Sequence, residues 1–389
     1  MASRHLTTTT RAPPSIVTFE RRHVLFSVEH TRFEFIRTLE RRANGEELLL
    51  AHRYQRHGLA GLVIIKRVRS PASSARRHRL VEEVQLAYRL HHPTIAQVHY
   101  FKIHRGKPYI IMEHVDGPSL ETVLDLMAMR GKPVSLAFAL HVAAELADAL
   151  HHAHSLEDEQ GRSLGLIHRD VSPRNVRVAR TGEVKLTHFG VAYSHLIGRE
   201  ETAGALLKGD VAYASPEYLA GTTLTSASDL FSLGLVLLEL ATGRHLFAAA
   251  ADALEPPRAK SRELRLEEPP SLPLTQMLML LEDHGPQDVE RAAASLPREV
   301  RAVLQGMLHK DASKRFGSAG AVCLALRECL VQEIRRVGHP FGRADMADEL
   351  TRLISDASAV RDEVELLDES LFPSGLEAHE LAGRGPKNT

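Results

Sequence analysis

The sequence predicts an α+β fold of two lobes, a β-rich N-terminal lobe followed by an α-helical C-terminal lobe. Three observations predict it. Period-2 apolar segments lie before about residue 115, helical periodicity dominates after about residue 120, and no internal repeat divides the chain. At 389 residues the chain is long enough to bury a sizeable core as one large bilobal unit or as two smaller domains.

Residues 1–31 form a flexible arm in this reading, with Thr7 to Thr10, Pro13 and Pro14, ending in a short strand over His23 to Val28. The N-terminal lobe spans 32–115. Its strands are Phe33 to Leu39, Leu48 to His52 and Leu62 to Val68, with Gly58 and Gly61 marking the last turn. Arg77 to Leu90 carries helical spacing and stops before Pro93. Val98 to Ile103 and Tyr109 to His114 complete the strands. The C-terminal lobe spans 116–338, with helices over Ala137 to His154, Asp229 to Thr242 (ended by Gly243) and Ala319 to Val337. Leu254 to Pro273 holds five prolines and reads as a surface insertion. Residues 339–389 form a C-terminal helix, Ala344 to Leu367, and a polar tail.

Composition excludes several function classes. Lys+Arg and Asp+Glu number 49 each, so no global field points to nucleic acid or an anionic membrane. The basic run Arg76, Arg77, His78 and Arg79 is short and reads as a solvated helix start. The longest apolar run, Leu230 to Leu238, is interrupted by Ser232 and falls short of the ~20 residues that span a bilayer. Two cysteines, Cys323 and Cys329, match no disulfide or zinc pattern and fit a reducing cytoplasm. The N-terminus has no apolar stretch after its arginines, so no signal peptide is expected. The histidines His151, His152 and His154 read as packing and solvent residues of one helix.

The chemistry lies in an ordered chain of motifs. Val63-Ile64-Ile65-Lys66 ends a strand on a lysine, and Glu83 follows seventeen residues on in the expected helix. His168-Arg169-Asp170 precedes Asn175 in the string HRDVSPRNV. His188-Phe189-Gly190 comes next, then Ser215-Pro216-Glu217, then Asp229 within Ser228 to Gly234, and Arg315 within Lys310 to Phe316. This chain of motifs resembles that of protein kinases, over roughly residues 32 to 337. Within that family HRDVSPxN is similar to bacterial serine/threonine kinases.

The resemblance implies Asp170 as catalytic base, Lys66 on the nucleotide phosphates held by Glu83, and Asn175 as a metal ligand. It places the hinge at Met112, Glu113 and Val115, with Met112 as gatekeeper. Ile64 becomes the roof over adenine, Arg177 the floor, and Gly45 the last glycine of the phosphate-covering loop. ATP with Mg2+ or Mn2+ is the implied cofactor set if the protein is active, or no cofactor at all.

Departures from the pattern concentrate along the path of a nucleotide. The phosphate loop reads Glu40-Arg41-Arg42-Ala43-Asn44-Gly45 and keeps one glycine. Ile64 is three carbons larger than the usual alanine. Period-2 alternation turns Arg177 away from Val176 and Val178 towards the apolar slot, where a guanidinium needs a partner. His188 stands where the metal-binding aspartate belongs, and imidazole suits magnesium poorly. Ser172 replaces the catalytic-loop lysine, and Asp210 adds an acid expected to repel Asp170. Ser194 and Thr202 are candidate phosphoacceptors. The scaffold residues His168, Phe189, Glu217, Asp229 and Arg315 are kept. The expectation is a pseudokinase, a cytoplasmic regulatory module that binds another kinase or signalling protein. The alternative is an active serine/threonine kinase.

Overall fold

The computed structural model describes residues 23–41, 46–68, 84, 86–104, 107–189, 210–247 and 274–360. The fold class is α+β, as the sequence predicts. The chain divides into two compact units, Met1–Ser70 with Lys102–Ile111, and Pro71–Phe101 with Met112–Thr389.

Alternating apolar residues in the first half build a six-stranded sheet. Its strands are β1 (Val24–Val28), β2 (Thr31–Arg41), β3 (Glu46–Gln55), β4 (Gly58–Val68), β5 (Val98–His104) and β6 (Lys107–Glu113), in the order β1-β2-β3-β4-β6-β5. Phe33, Leu49, Ala51, Val63 and Ile65 point to one face and are buried with Tyr109 and Ile111. Phe26 of β1 packs 5.1 Å from Phe33 and 4.8 Å from Tyr109, ring centre to ring centre. A residue of the first strand therefore meets the far side of the sheet, which curls around its aromatic core.

The expected turn at Gly58 and Gly61 lies earlier. Arg56 and His57 make the turn, β4 opens at Gly58, and Gly61 pairs with Arg53 inside the ladder, beside a register shift. A glycine beside an irregularity in pairing gives the same sequence signal as a turn glycine.

The second unit is helical, with α1 (Leu120–Arg130), α2 (Leu136–His154), α3 (Ser226–Thr242), α4 (Leu274–Asp283), α5 (Pro286–Ala292), α6 (Arg298–Met307), α7 (Ala319–Val337) and α8 (Arg343–Val360). Ser135 Oγ accepts the Phe138 N–H at the start of α2, and Thr225 Oγ1 accepts the Ala227 N–H at the start of α3. Gly243 ends α3 in the left-handed conformation, as expected. Leu230, Phe231 and Leu233 of α3 and Phe138, Leu146 and Leu150 of α2 have no exposed surface. A short hairpin, β7 (Val176–Val178) and β8 (Val184–Leu186), completes the unit.

Of the expected helix Arg77 to Leu90 only Val84 and residues 86–90 are described; Val84, Leu86 and Ala87 are helical, and Tyr88 and Arg89 form a turn. The arm before His23, the basic run at 76–79, the proline-rich stretch 254–273 and the tail lie outside the described residues. So does the end of the expected helix Ala344 to Leu367, whose described part is α8. No described helix is long and apolar enough to cross a membrane.

Candidate functional site

Asp229, buried near the start of α3, organises the loop that carries His168, Arg169 and Asp170. Its Oδ2 accepts the His168 N–H at 2.8 Å and its Oδ1 accepts the Arg169 N–H at 2.8 Å. Arg169 takes a positive φ of 64° there. His154 Nε2, at the end of α2, lies 2.8 Å from Asp229 Oδ2. Burial would push this carboxyl up, but the His154 bond, the neighbouring His154 and His168 rings and the His168 backbone donor outweigh it and hold it below the ordinary carboxylate range. The sequence places His154 among the packing and solvent residues of its helix; the structure makes it a third support of the loop.

His168 is buried, and burial lowers its pKa, so it stays neutral. Its Nδ1 accepts the Asp170 N–H at 3.2 Å, so Nε2 carries the proton and donates to Thr187 O at 3.1 Å. Phe189 stands edge-on to the His168 ring, 4.5 Å between centres. Asn175 Nδ2 donates to Asp170 O at 2.8 Å, which fixes the two residues five apart.

Asp170 Oδ1 accepts the Asp210 backbone N–H at 3.0 Å. This corrects the expected repulsion between Asp170 and Asp210. The Asp210 carboxylate is turned to the Ala212 N–H (3.1 Å) and to Arg174 (3.5 Å), so the main chain of Asp210, a donor, faces Asp170. Arg174 was not singled out in the sequence, because only this tertiary pairing gives it a role.

His188 sits beside Asn175. Asn175 O accepts both the Thr187 N–H (2.8 Å) and the Thr187 hydroxyl (3.0 Å). With its one proton committed to Asn175, Thr187 Oγ1 accepts from His188 Nδ1–H at 2.8 Å, leaving Nε2 with the lone pair. His188 holds a φ of 63°, a left-handed backbone that costs a non-glycine residue about 1 kcal/mol or more. The donors at this place are thus one carboxamide and one imidazole. They do not fit magnesium, which wants anionic oxygen. Among the described residues no group of three or more His, Cys, Asp or Glu could hold a metal.

Arg177 answers its expected need for a partner through the main chain. Val176 and Val178 are buried while Arg177 is half-buried, as the alternation predicts. Its Nε (3.1 Å) and Nη2 donate to Gly117 O. A Cβ at Gly117 would lie 2.0 Å from Val178 O, so only glycine lets the segment after the hinge lie against β7. Met112 and Glu113 end β6, and Val115 is buried. Glu113 pairs with Lys185 of β8 at 2.8 Å and accepts the Gln97 N–H at 3.0 Å.

Within the second unit Asp170 is thus bonded to Asn175, Asn175 to Thr187 next to His188, and Arg177 to Gly117, just after the expected hinge at Met112, Glu113 and Val115. Lys66 and Ile64 belong to the first unit, on β4 opposite Leu48 and Leu50, with Lys66 buried. Gly45 and Glu83 lie outside the described residues, as do Ser194 and Thr202.

The scaffold pair is present as predicted. Arg315 Nη1 and Nη2 donate to the two oxygens of Glu217 at 2.7 and 2.8 Å, and Ser228 Oγ donates to the same carboxylate at 2.7 Å.

Comparison with known proteins agrees with this geometry. A family model described as the protein kinase domain matches residues 53–326. The chain is 33% identical over 217 residues, 53% of its length, to the tyrosine-protein kinase MasK of Myxococcus xanthus. It is 33% identical over 248 residues, 63% of its length, to the serine/threonine-protein kinase PknJ of Mycobacterium tuberculosis. It is 35% identical over 169 residues, 43% of its length, to the probable serine/threonine-protein kinase PknB of Lactococcus lactis. The matched stretches span 33%, 36% and 25% of these relatives, so the chain corresponds to a part of each.

Proposed function

The chain belongs to the protein kinase family, and from that premise we propose that it is a pseudokinase. It acts as a kinase-shaped regulatory module that binds a protein partner, another kinase or a signalling protein, and transfers no phosphate. The observation that carries this reading is His188. The position that should offer a carboxylate to magnesium offers an imidazole locked through Thr187 to Asn175. Loss of such a preorganised charge clamp costs on the order of 10²–10³ in rate. The single remaining phosphate-loop glycine, Ile64 and Arg177 support the same reading, since each alters a position that a nucleotide would contact.

A second reading, an active serine/threonine kinase, is favoured by one feature. Asp170 is held by the Asp210 N–H and by a loop fixed on Asp229, the arrangement a catalytic base needs. The kinase names of the similar bacterial proteins support it too, although one of them is named for tyrosine.

Calorimetry with ATP in magnesium, in manganese and in chelator separates the two. The pseudokinase reading expects no heat and an unshifted melting temperature in all three. Metal-dependent binding with phosphotransfer that disappears in Asp170→Asn would sink it, and the phosphorylated residue would then report the acceptor class. Restoring the carboxylate by His188→Asp is expected to raise autophosphorylation at least about 100-fold if the metal site is the main lesion.

A further inference from the structure

We propose that α8 is a releasable strap that fixes the β7–β8 hairpin, and with it the strand carrying Arg177 and the segment after the hinge. The proposal holds whether or not phosphate is transferred. It rests on where α8 touches the helical unit, at three places along its length.

At its start, α8 lies on the hairpin turn. Gly182 has a φ of 84°, and a Cβ there would come 1.9 Å from Arg343 O, so the helix start and the turn are in main-chain contact. Arg343 Nη1 adds an ion pair to Glu183 Oε1 at 3.0 Å. In its middle, Glu349 takes two bonds from Ser135, one from the N–H at 2.6 Å and one from the hydroxyl at 2.7 Å. Ser135 is the residue that caps α2. Near its end, Asp356 pairs with Arg130 at the last turn of α1, 3.1 Å away. Along the same helix Met346, Leu350, Leu353 and Ala357 are buried, and their spacing of four, three and four places them on one face.

The hairpin so held is also bonded to the chain after the hinge. Val178 N–H donates to Pro118 O at 3.0 Å, Arg180 N–H to Asp116 O at 2.8 Å, and Arg177 to Gly117 O. Asn175 and Thr187 are the residues immediately flanking the two strands. A shift of the turn is therefore passed along β7 to the site within a few residues. The clasps suit release. The side chains of Arg343, Glu183 and Asp356 are 62%, 38% and 53% exposed, and exposed ion pairs hold weakly. Asp348, Thr351, Arg352 and Ser355 give α8 a polar outer face. The helix also lies beyond residue 326, where the family match ends.

Amide hydrogen exchange on the full chain tests the strap, with Leu350→Asp and the milder double variant Arg343→Ala/Glu349→Ala. Exchange in 343–357 reports undocking, and exchange in the α3 core reports global folding. The expected result is at least ten-fold faster exchange at 176–186, where the Val178 and Arg180 amides donate to the segment after the hinge, in whichever variant frees α8, with α3 unchanged. If Leu350→Asp loses the α3 protection as well, the double variant carries the same reading. A freed α8 beside an unchanged hairpin overturns the proposal. An α8 that stays protected in every variant that keeps its α3 protection overturns it too, because a strap must yield to loss of its clasps.

Discussion

Arg315 has no exposed side-chain surface, and every nitrogen of its guanidinium is bonded: to both oxygens of Glu217 and to the carbonyls of His309, Ala227 and Lys310. Its plane also lies 4.9 Å from the Phe231 ring centre. A lysine keeps the charge but not the fork. Arg315→Lys is expected to lower unfolding stability by about 3–5 kcal/mol, read from the urea midpoint, because it leaves a partly buried carboxylate and several carbonyls short of donors. A change under about 1 kcal/mol would mean that the pair is peripheral to folding. Glu217 and Arg315 were legible in the sequence because each sits in a motif whose neighbours are also informative. His154 was not. Its partner Asp229 is 75 residues away, and nothing local separates it from His151 and His152. Asp210 shows a second limit. The sequence names its side chain, whereas the contact with Asp170 is made by its backbone N–H, which any residue but proline would supply.

The helices α2, α3 and α7 follow from apolar spacing, and their observed ends fall within three residues of the predicted ones at each terminus. The strands run longer than their apolar cores suggest, because paired backbone continues past the last buried side chain. Charge within an element is harder to foresee. On α1, Asp125 faces Glu121 on its own helix and Glu239 of α3, and burial together with these two carboxylates pushes it up to about 6. Its folded value exceeds the ordinary 3.8, so the folded state carries a penalty at pH 7 that fades as pH falls from about 6 towards 3.8. The difference corresponds to about 3 kcal/mol, reduced to roughly 1–2 kcal/mol by screening of a partly exposed group. Asp125→Asn should therefore raise the melting temperature at pH 7 by roughly 2–5 °C and give a smaller gain at pH 5. A loss at pH 7 would show that the carboxylate makes a favourable bond.

Across the whole molecule, burial lowers the pKa of His141, His152, His168 and His284 below the ordinary 6.5. The folded chain then binds fewer protons than the unfolded chain, so their contribution is full above 6.5 and declines as pH falls below it. Asp125 and Glu239, raised by burial, act in the opposite sense. With Asp125→Asn in place, the declining contribution of these imidazoles is expected to lower the urea midpoint between pH 7.5 and pH 5.5. Adding His152→Phe, which removes a ring 5.4 Å from His92, should flatten that slope. A midpoint that is level or rises on acidification would contradict the assignment. The family match opens at residue 53, inside β3, yet β1 and β2 precede it and Phe26 closes the aromatic core against Tyr109. A fragment cut to the matched span would discard both strands. It would leave a bare sheet border of unpaired N–H and C=O groups, a template on which copies can aggregate, so a usable recombinant fragment has to start no later than His23.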